Sequence, residues 1–318
     1  ISDSNVYPLY GEQLKKLLTE QGVDTYLFTF EAGEKSKNLN TISSIYDQCL
    51  KYRLDRTSTL IALGGGVTGD IAGFAAATFM RGIHFVQVPT SLLAQVDSSV
   101  GGKVGVDYCG SKNIIGSFYQ PDMVYTNVST LKTLPEREFL SGLAEVIKHG
   151  MIIDYDFFAY LEKNAREILN LKTDVLKHVV RKNCWIKAQV VQQDEKEQGL
   201  RAILNFGHTI GHAIESKMGF SLLHGECVSI GMAVACKLAY KKGILAYEDY
   251  IRLVDLLKLY QLPIEIRDIN PHDIYEEMLR DKKQVNNKLK FILPTAIGKV
   301  IQTMDVSKED IIDTVASF

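Results

Sequence analysis

Three histidines and one glutamate are the residues most suited to chemistry. His208 and His212 lie four apart in Phe206-Gly207-His208-Thr209-Ile210-Gly211-His212, a spacing that puts both on one face of a helix. His224 follows in Leu223-His224-Gly225-Glu226, and Glu145 sits in Gly142-Leu143-Ala144-Glu145-Val146-Ile147-Lys148. Imidazoles with a carboxylate are the donors of an open catalytic zinc site. A bare HxxxH pair also occurs in ordinary core and surface helices. The third histidine, flanked by glycine and close in sequence, favours a metal. Spacing leaves open which of the three histidines bind it. His84, His149, His178 and His272 have no such company and read as structural or exposed.

A second motif suits a pyrophosphate. The β-rich run Thr59–Leu63 enters Gly64-Gly65-Gly66-Val67-Thr68-Gly69-Asp70 and then a helical stretch. Glycines let the backbone approach a phosphate, and the helix N-terminus supplies amide donors. The pattern GxGxxG falls on Gly64, Gly66 and Gly69, although a tight structural turn could carry it too. The acid expected about 20 residues later for a ribose is absent. Asp3 and Glu34, upstream, are the candidate ribose partners, which points to a variant dinucleotide arrangement.

Arg81, Lys103, Lys112, Lys148, Lys187 and Arg201 are isolated cations beside small or polar residues. That setting suits anion recognition, and solvated surface placement is the plain alternative. Asp97, Asn113 and Asn205 offer further polar contacts. The segment Val96–Lys103 is small and polar, and is expected to form a loop lining a cleft.

The elements that must position these residues change character along the chain. Up to residue 134, short β-rich runs at Thr25–Phe30, Thr59–Leu63, His84–Pro89 and Met123–Asn127 alternate with helical patterns at 38–53 and 68–80. Alternation predicts a parallel sheet covered by helices. After Pro135 the patterns are mostly helical, including 173–198, 205–218 and 226–242. A late hairpin is expected at 288–294 and 298–302. The reading is a Rossmann-like α/β domain at 1–134, then an all-α metal-binding domain at 135–318, with a ligand cleft between them.

Bulk properties exclude several classes. In 318 residues, 36 Lys+Arg against 38 Asp+Glu give a net charge of −2, which argues against a dedicated nucleic-acid binder. Hydrophobic residues at 46% exclude a disordered chain. No apolar run reaches the roughly 18 residues of a membrane helix. Five cysteines without a CxxC pair suit free thiols in a reducing cytoplasm. The first 25 residues show no signal-peptide pattern, and a start at Ile1 leads us to expect a segment upstream.

Taken together, these motifs resemble the 3-dehydroquinate synthase family. The matching stretches are GGGVTGDIAGFAAATFMRG (64–82), VPTSLLAQVDSSVGGKVGVD (88–107), GSKNIIGSFYQP (110–121), TLPEREFLSGLAEVIKHG (133–150), RAILNFGHTIGHAIE (201–215) and LHGECVSIGM (223–232). The resemblance implies an NAD-binding α/β domain and a helical domain carrying zinc or cobalt. It implies Glu145, His208 and His224 as metal ligands, with His212 a catalytic residue on the phosphate side. NAD contacts are implied at Asp3, Glu34, Lys37, Gly65, Gly66, Asp70, Thr90, Ser91, Leu93, Asp97, Lys112 and Thr133. Substrate contacts are implied at Arg81, Asp97, Lys103, Asn113, Lys148, Lys187, Arg201, Asn205, His212 and Lys283. Ser91 stands where many relatives have Thr, Ser141 where some have Asn, and Ser111 where a smaller residue is common.

The implied reaction converts 3-deoxy-arabino-heptulosonate 7-phosphate into 3-dehydroquinate and phosphate. A ring alcohol is transiently oxidised by NAD, phosphate leaves by β-elimination, the hydride returns, the ring opens and an intramolecular aldol step closes the carbocycle. The resemblance alone implies a cytoplasmic homodimer acting on a small sugar-phosphate acid. Rival readings are a cyclase for another sugar phosphate, a metal-dependent polyol dehydrogenase and a non-catalytic NAD-binding module. The cation set and the metal-site residues favour the synthase over all three.

Overall fold

The computed structural model describes residues 1–318 except 220, 267–268, 281–283 and 286–287. The chain divides into two compact units, Ile1–Leu134 and Pro135–Phe318.

The first unit carries strands β1 (Ser2–Asp3), β2 (Thr29–Phe30), β3 (Thr59–Gly64), β4 (His84–Pro89), β5 (Lys103–Tyr108), β6 (Ser111–Phe118) and β7 (Met123–Val124). Its helices are α1 (Glu12–Glu20), α2 (Leu39–Lys51) and α3 (Gly66–Thr78). Five strands form a parallel sheet in the order β2-β1-β3-β4-β7. β3 and β4 run side by side from Thr59↔His84 to Gly64↔Pro89. Buried residues of β3, β4, α2 and α3 build one core, with Ile45, Leu60, Ile71 and Phe85 at its centre. Each such side chain contributes about 1.5–3 kcal/mol by leaving water. α3 is buried on most sides because its small residues let it lie close on the sheet: a Cβ at Gly73 would stand 2.9 Å from the Phe85 ring.

Two expectations fail here. The segment 96–103 is a loop only at residues 99–102, and it is more buried than expected. A π-helical turn at Ala94–Ser98 buries Val96 completely, and Ser99 is 1% exposed. Polar Gln95 is tolerated inside because its Nε2 donates to the Pro89 carbonyl, the Asn127 carbonyl and Thr130 Oγ1. The antiparallel hairpin β5–β6 was not anticipated. Its Lys103, Lys112 and Asn113 read as ligand contacts, while Val104 and Val106 lie in the core and Ile115 packs against it.

The second unit holds α4 (Glu136–Ile153), α5 (Tyr155–Lys163), α6 (Ala165–Leu169), α7 (Thr173–Gln193), α8 (His208–Lys217), α9 (His224–Lys241), α10 (Tyr247–Leu259), α11 (Pro271–Arg280) and α12 (Lys308–Val315). Strand pairs β8–β9 (Gln284–Val285, Lys288–Leu289) and β10–β11 (Phe291–Ala296, Lys299–Thr303) complete it. The second pair is the late hairpin. α4 is buried from Ser141 through Ile152, with the polar side chains of Glu145, Lys148 and His149 included, as befits a central helix. It packs against α5, α7 and α9. No helix among the described residues is long and apolar enough to cross a membrane. α7 stops at Gln193, short of the expected 198, and α8 begins at His208 rather than 205. At that start Gly207 has φ +78°, a left-handed conformation that suits glycine and breaks the preceding turn.

Candidate active site

The second unit gathers four of the singled-out side chains. Glu145 lies on α4, His208 and His212 on successive turns of α8, and His224 at the first position of α9. The imidazoles form one cluster, with ring centroids 5.2 Å apart for His208–His212 and His208–His224, and 5.9 Å for His212–His224.

Close helix packing sets these positions. The amide of Gly225 donates to Ser141 Oγ at 3.1 Å, and no side chain fits between that residue and the Ser141 backbone. Arg137 on α4 binds Glu226 on α9 through two hydrogen bonds of 2.7 Å. Glu226 also accepts the Leu223 amide at 2.8 Å, tying down the start of α9. The first turn of α9 is thereby fixed one helical turn from Glu145.

Glu145 is fully buried, and neither of its carboxylate oxygens accepts a hydrogen bond of ordinary geometry. Lys148 Nζ touches Oε2, while His208 Nε2 and His224 Nε2 stand 3.4 and 3.6 Å from Oε1. Burial by itself would raise this carboxyl, but the Lys148 ammonium and the His224 imidazole outweigh it and hold the group well below the usual carboxylate range. Burial would lower His224, yet Glu145 and Glu215 push it up to about 9.

The donor set fits a divalent metal. Tetrahedral zinc with bonds of roughly 2.0–2.1 Å has donor–donor edges of about 3.4 Å, close to the two separations around Oε1. Both imidazoles turn Nε2 toward Glu145 and Nδ1 toward another oxygen. His208 Nδ1 is 3.1 Å from the Phe206 carbonyl, and His224 Nδ1 is 3.5 Å from Glu215 Oε2. Such outer partners fix the tautomer that leaves Nε2 for a metal. Glu145, His208 and His224 form one possible metal group, and His212 instead groups with Glu215 and His224. Glu215 is the residue the sequence reading missed. It stands seven residues after His208 on the same face of α8, and that spacing could have marked it.

Other expected residues surround this cluster or lie in the same unit. Lys148 Nζ donates to the Leu204 carbonyl at 2.7 Å. Lys187 on α7 and Arg201 are buried, at 6% and 2% exposure. Asn205 Nδ2 donates to Glu197 Oε1 at 2.6 Å. Lys283 lies outside the described residues. His149, expected to be structural or exposed, is buried with Nδ1 2.8 Å from Asn183 Oδ1.

In the first unit, the turn after β3 brings Gly65 and Gly66 to the start of α3, whose N-cap has no side-chain partner. Those first-turn amides are the donors an anion needs. The hydroxyls of Ser91 and Ser98 border the turn, and Thr90 sits beside it through its amide bond to the Gly64 carbonyl at 2.9 Å. Leu93 is half-buried ahead of the π-helical turn that carries Asp97. Thr133 is exposed and touches the Tyr10 hydroxyl.

A second group is ionic. Lys37, 5% exposed, pairs with Asp70 at 2.6 Å and touches Asn113 Oδ1. Burial would lower its pKa, but Asp70 and Glu34 outweigh this and raise it. Lys112 lies 3.7 Å from Glu34. Asp3 accepts the Asn5 and Val6 amides and the Thr68 hydroxyl. Lys103 is exposed on β5. Arg81 stands apart: it follows the C-terminal end of α3, 13 residues of helix from the glycine turn, or about 20 Å at 1.5 Å per residue.

An α/β unit with an uncapped glycine turn, followed by a helical unit with a buried carboxylate–imidazole cluster, is the architecture of the sugar phosphate cyclases. Two solved structures of that class resemble the chain. One is 2-epi-5-epi-valiolone synthase from Streptomyces hygroscopicus subsp. jinggangensis 5008 with NAD+ and Zn2+ bound: TM-score 0.93, 28% identity, covering 99% of this chain and 89% of that one. The other is 2-deoxy-scyllo-inosose synthase complexed with carbaglucose-6-phosphate, NAD+ and Co2+: TM-score 0.92, 27% identity, with the same coverage of 99% and 89%.

The chain belongs to the 3-dehydroquinate synthase family. Residues 27–141 match the family's N-terminal part and residues 142–284 its C-terminal part. The 3-dehydroquinate synthase of Acetivibrio thermocellus is 54% identical over 316 residues, covering 99% of this chain and 88% of the relative.

Proposed function

We propose that this enzyme converts 3-deoxy-arabino-heptulosonate 7-phosphate into 3-dehydroquinate and inorganic phosphate, as a lyase with no net redox change. The observation that carries the reading is Glu145, a buried carboxylate without a hydrogen-bond partner, faced by two imidazole Nε2 atoms and touched by Lys148. Glu145, His208 and His224 hold zinc or cobalt, and the glycine turn with the Lys37–Asp70 group holds NAD. When bound, NAD accepts and returns a hydride, and the metal acts as a Lewis acid on a substrate hydroxyl.

The remaining work belongs to the side chains. The substrate carries a carboxylate and a phosphate, and Arg81, Lys103, Lys148, Lys187, Arg201 and Lys283 supply cations to hold them. Asp97, Asn113 and Asn205 orient hydroxyls. In the elimination, a carbon-bound proton is removed beside the transient ketone, and the C–O bond breaks with its electron pair leaving on phosphate. His212, next to both histidine ligands, serves that leaving group. Burial of Lys148, Lys187 and Arg201 strengthens their attraction for anions relative to cations in water.

The same reading places the protein in the cytoplasm as a homodimer, in keeping with five free thiols. A near-zero net charge argues against a dedicated nucleic-acid binder. The test is release of inorganic phosphate from the heptulosonate substrate with NAD and zinc, while absorbance follows NADH. Phosphate without accumulating NADH, lost on chelation, is the expected result. Accumulating NADH without phosphate would replace the synthase reading with a dehydrogenase.

A further inference from the structure

We propose that Asp194 is a positioning residue: its carboxylate builds the loop that presents Arg201 and Asn205 to the substrate. α7 ends at Gln193, and Asp194 leaves the helix with φ −153° and ψ 73°. Its side chain turns back over the following residues and accepts three backbone amides. Gln198 N donates to Oδ1 at 2.8 Å, while Gly199 N and Arg201 N donate to Oδ2 at 2.8 and 2.9 Å.

Those amides lead into the 310 turn Leu200–Asn205: Gln198 precedes it, Gly199 is its N-cap and Arg201 is its second residue. Glycine has no side chain with which to cap it. Asp194 supplies the missing acceptor from across the loop, and a negative charge at the amino end of a helical turn is the favourable sign. These three bonds draw its carboxyl below the ordinary aspartate value.

The turn fixed in this way carries the chemistry-bearing groups. Arg201 is 2% exposed, and its Nη1 folds onto the Glu195 carbonyl inside the same loop. The Leu204 carbonyl holds Lys148 Nζ at 2.7 Å, and Asn205 donates to Glu197 within the loop. Without Asp194, three amides lose a charged acceptor at once. The loop then orders only at the expense of substrate binding.

The inference rests on Arg201 as a substrate contact, so Arg201→Ala is measured alongside Asp194→Asn and Asp194→Ala. Asparagine keeps one acceptor oxygen and alanine none, so a graded response is expected. KM for the heptulosonate phosphate should rise about tenfold for Asn and about a hundredfold for Ala, with kcat within about twofold of wild type. Zinc affinity should stay at the wild-type value, while the unfolding midpoint falls modestly for Asn and further for Ala, as loss of a charged cap requires. If Arg201→Ala raises KM but both Asp194 variants keep the wild-type KM, the positioning role is overturned and the Arg201 contact stands. If Arg201→Ala leaves KM unchanged, that contact fails, and the positioning role fails with it. A lower unfolding midpoint with KM unchanged makes Asp194 structural only, which also overturns the proposal.

Discussion

Gly225→Ala should weaken zinc binding without removing any candidate ligand. A Cβ at residue 225 would stand 1.9 Å from the Ser141 carbonyl oxygen, 2.6 Å from its carbonyl carbon and 2.7 Å from Ser141 Oγ. Ordinary van der Waals contact begins at 3.4 Å, so relieving the carbonyl contact takes about 1.5 Å of separation between α9 and α4 at this point. His224 is the residue before Gly225, and Glu145 lies one turn after Ser141. Carried through to the side chains, the movement stretches the 3.6 Å separation of His224 Nε2 and Glu145 Oε1 to about 5.1 Å. A tetrahedral zinc edge is about 3.4 Å, so one ligand is pulled out of reach or strained. Disturbing the support of a metal ligand costs about 10- to 100-fold in affinity, or about 1.4–2.7 kcal/mol. Overpacking takes a further 1–3 kcal/mol or so from the stability of the metal-free protein.

The assay is competition for zinc with a chromogenic chelator at fixed pH, beside thermal unfolding of the metal-free protein. Ile45→Val, in the core of the other unit, is the control. It costs about 1 kcal/mol of stability and should leave zinc affinity unchanged. A Gly225→Ala protein that binds zinc within twofold of wild type would falsify the reasoning, because it would show that the α4–α9 contact does not set the ligand separation.

Two further outcomes follow from single contacts. Lys148→Ala removes the ammonium that touches Glu145 and bonds the Leu204 carbonyl, and should lower turnover about a hundredfold while the zinc-loaded protein still unfolds cooperatively; unchanged kinetics in the folded variant would take Lys148 out of the site. Asp154 caps α5 through the Phe157 amide at 2.8 Å and pairs with Lys182 of α7 at 2.6 Å, so Asp154→Ala should cost about 1–2 kcal/mol at pH 7 in denaturant titration. Burial opposes, but these partners hold its carboxyl below the ordinary 3.8. A depressed folded-state pKa means stability that is complete above the unfolded value and lost as pH falls through the folded one. The gap between variant and wild type should therefore close below about pH 3.8, and a gap that persists there would exclude the charge as its source.

The residues that carry chemistry were legible because their types are specific and their spacing local. His208 and His212 share a helix face by arithmetic, and the glycine turn announces itself between a strand pattern and a helix pattern. Sequence distance does not show that α3 carries Arg81 to the far end from the glycine turn. The β5–β6 hairpin was hidden because its exposed side needs no apolar alternation, so Lys103, Lys112 and Asn113 read as ligand contacts without a strand to carry them. The segment around Gln95 looked too polar to bury, and only the three oxygens that meet its amide make burial cheap.

The groups that hold the site in place were the least visible, and physics explains why. Ser141 and Gly225 are 84 residues apart and meet through the Gly225 amide and the Ser141 hydroxyl. Glu215 acts through the far nitrogen of His224, and Asp194 through three amides of its own loop. A metal accepts bond lengths within a few tenths of an ångström, so ligand identity alone leaves affinity undetermined. It is decided by residues whose types are ordinary and whose partners appear only when the chain is folded. For this reason substitutions at Gly225 and Asp194 test the site more sharply than removal of a ligand. Loss of a ligand is compatible with almost any mechanism, whereas a lost contact has a direction and a magnitude that follow from its geometry.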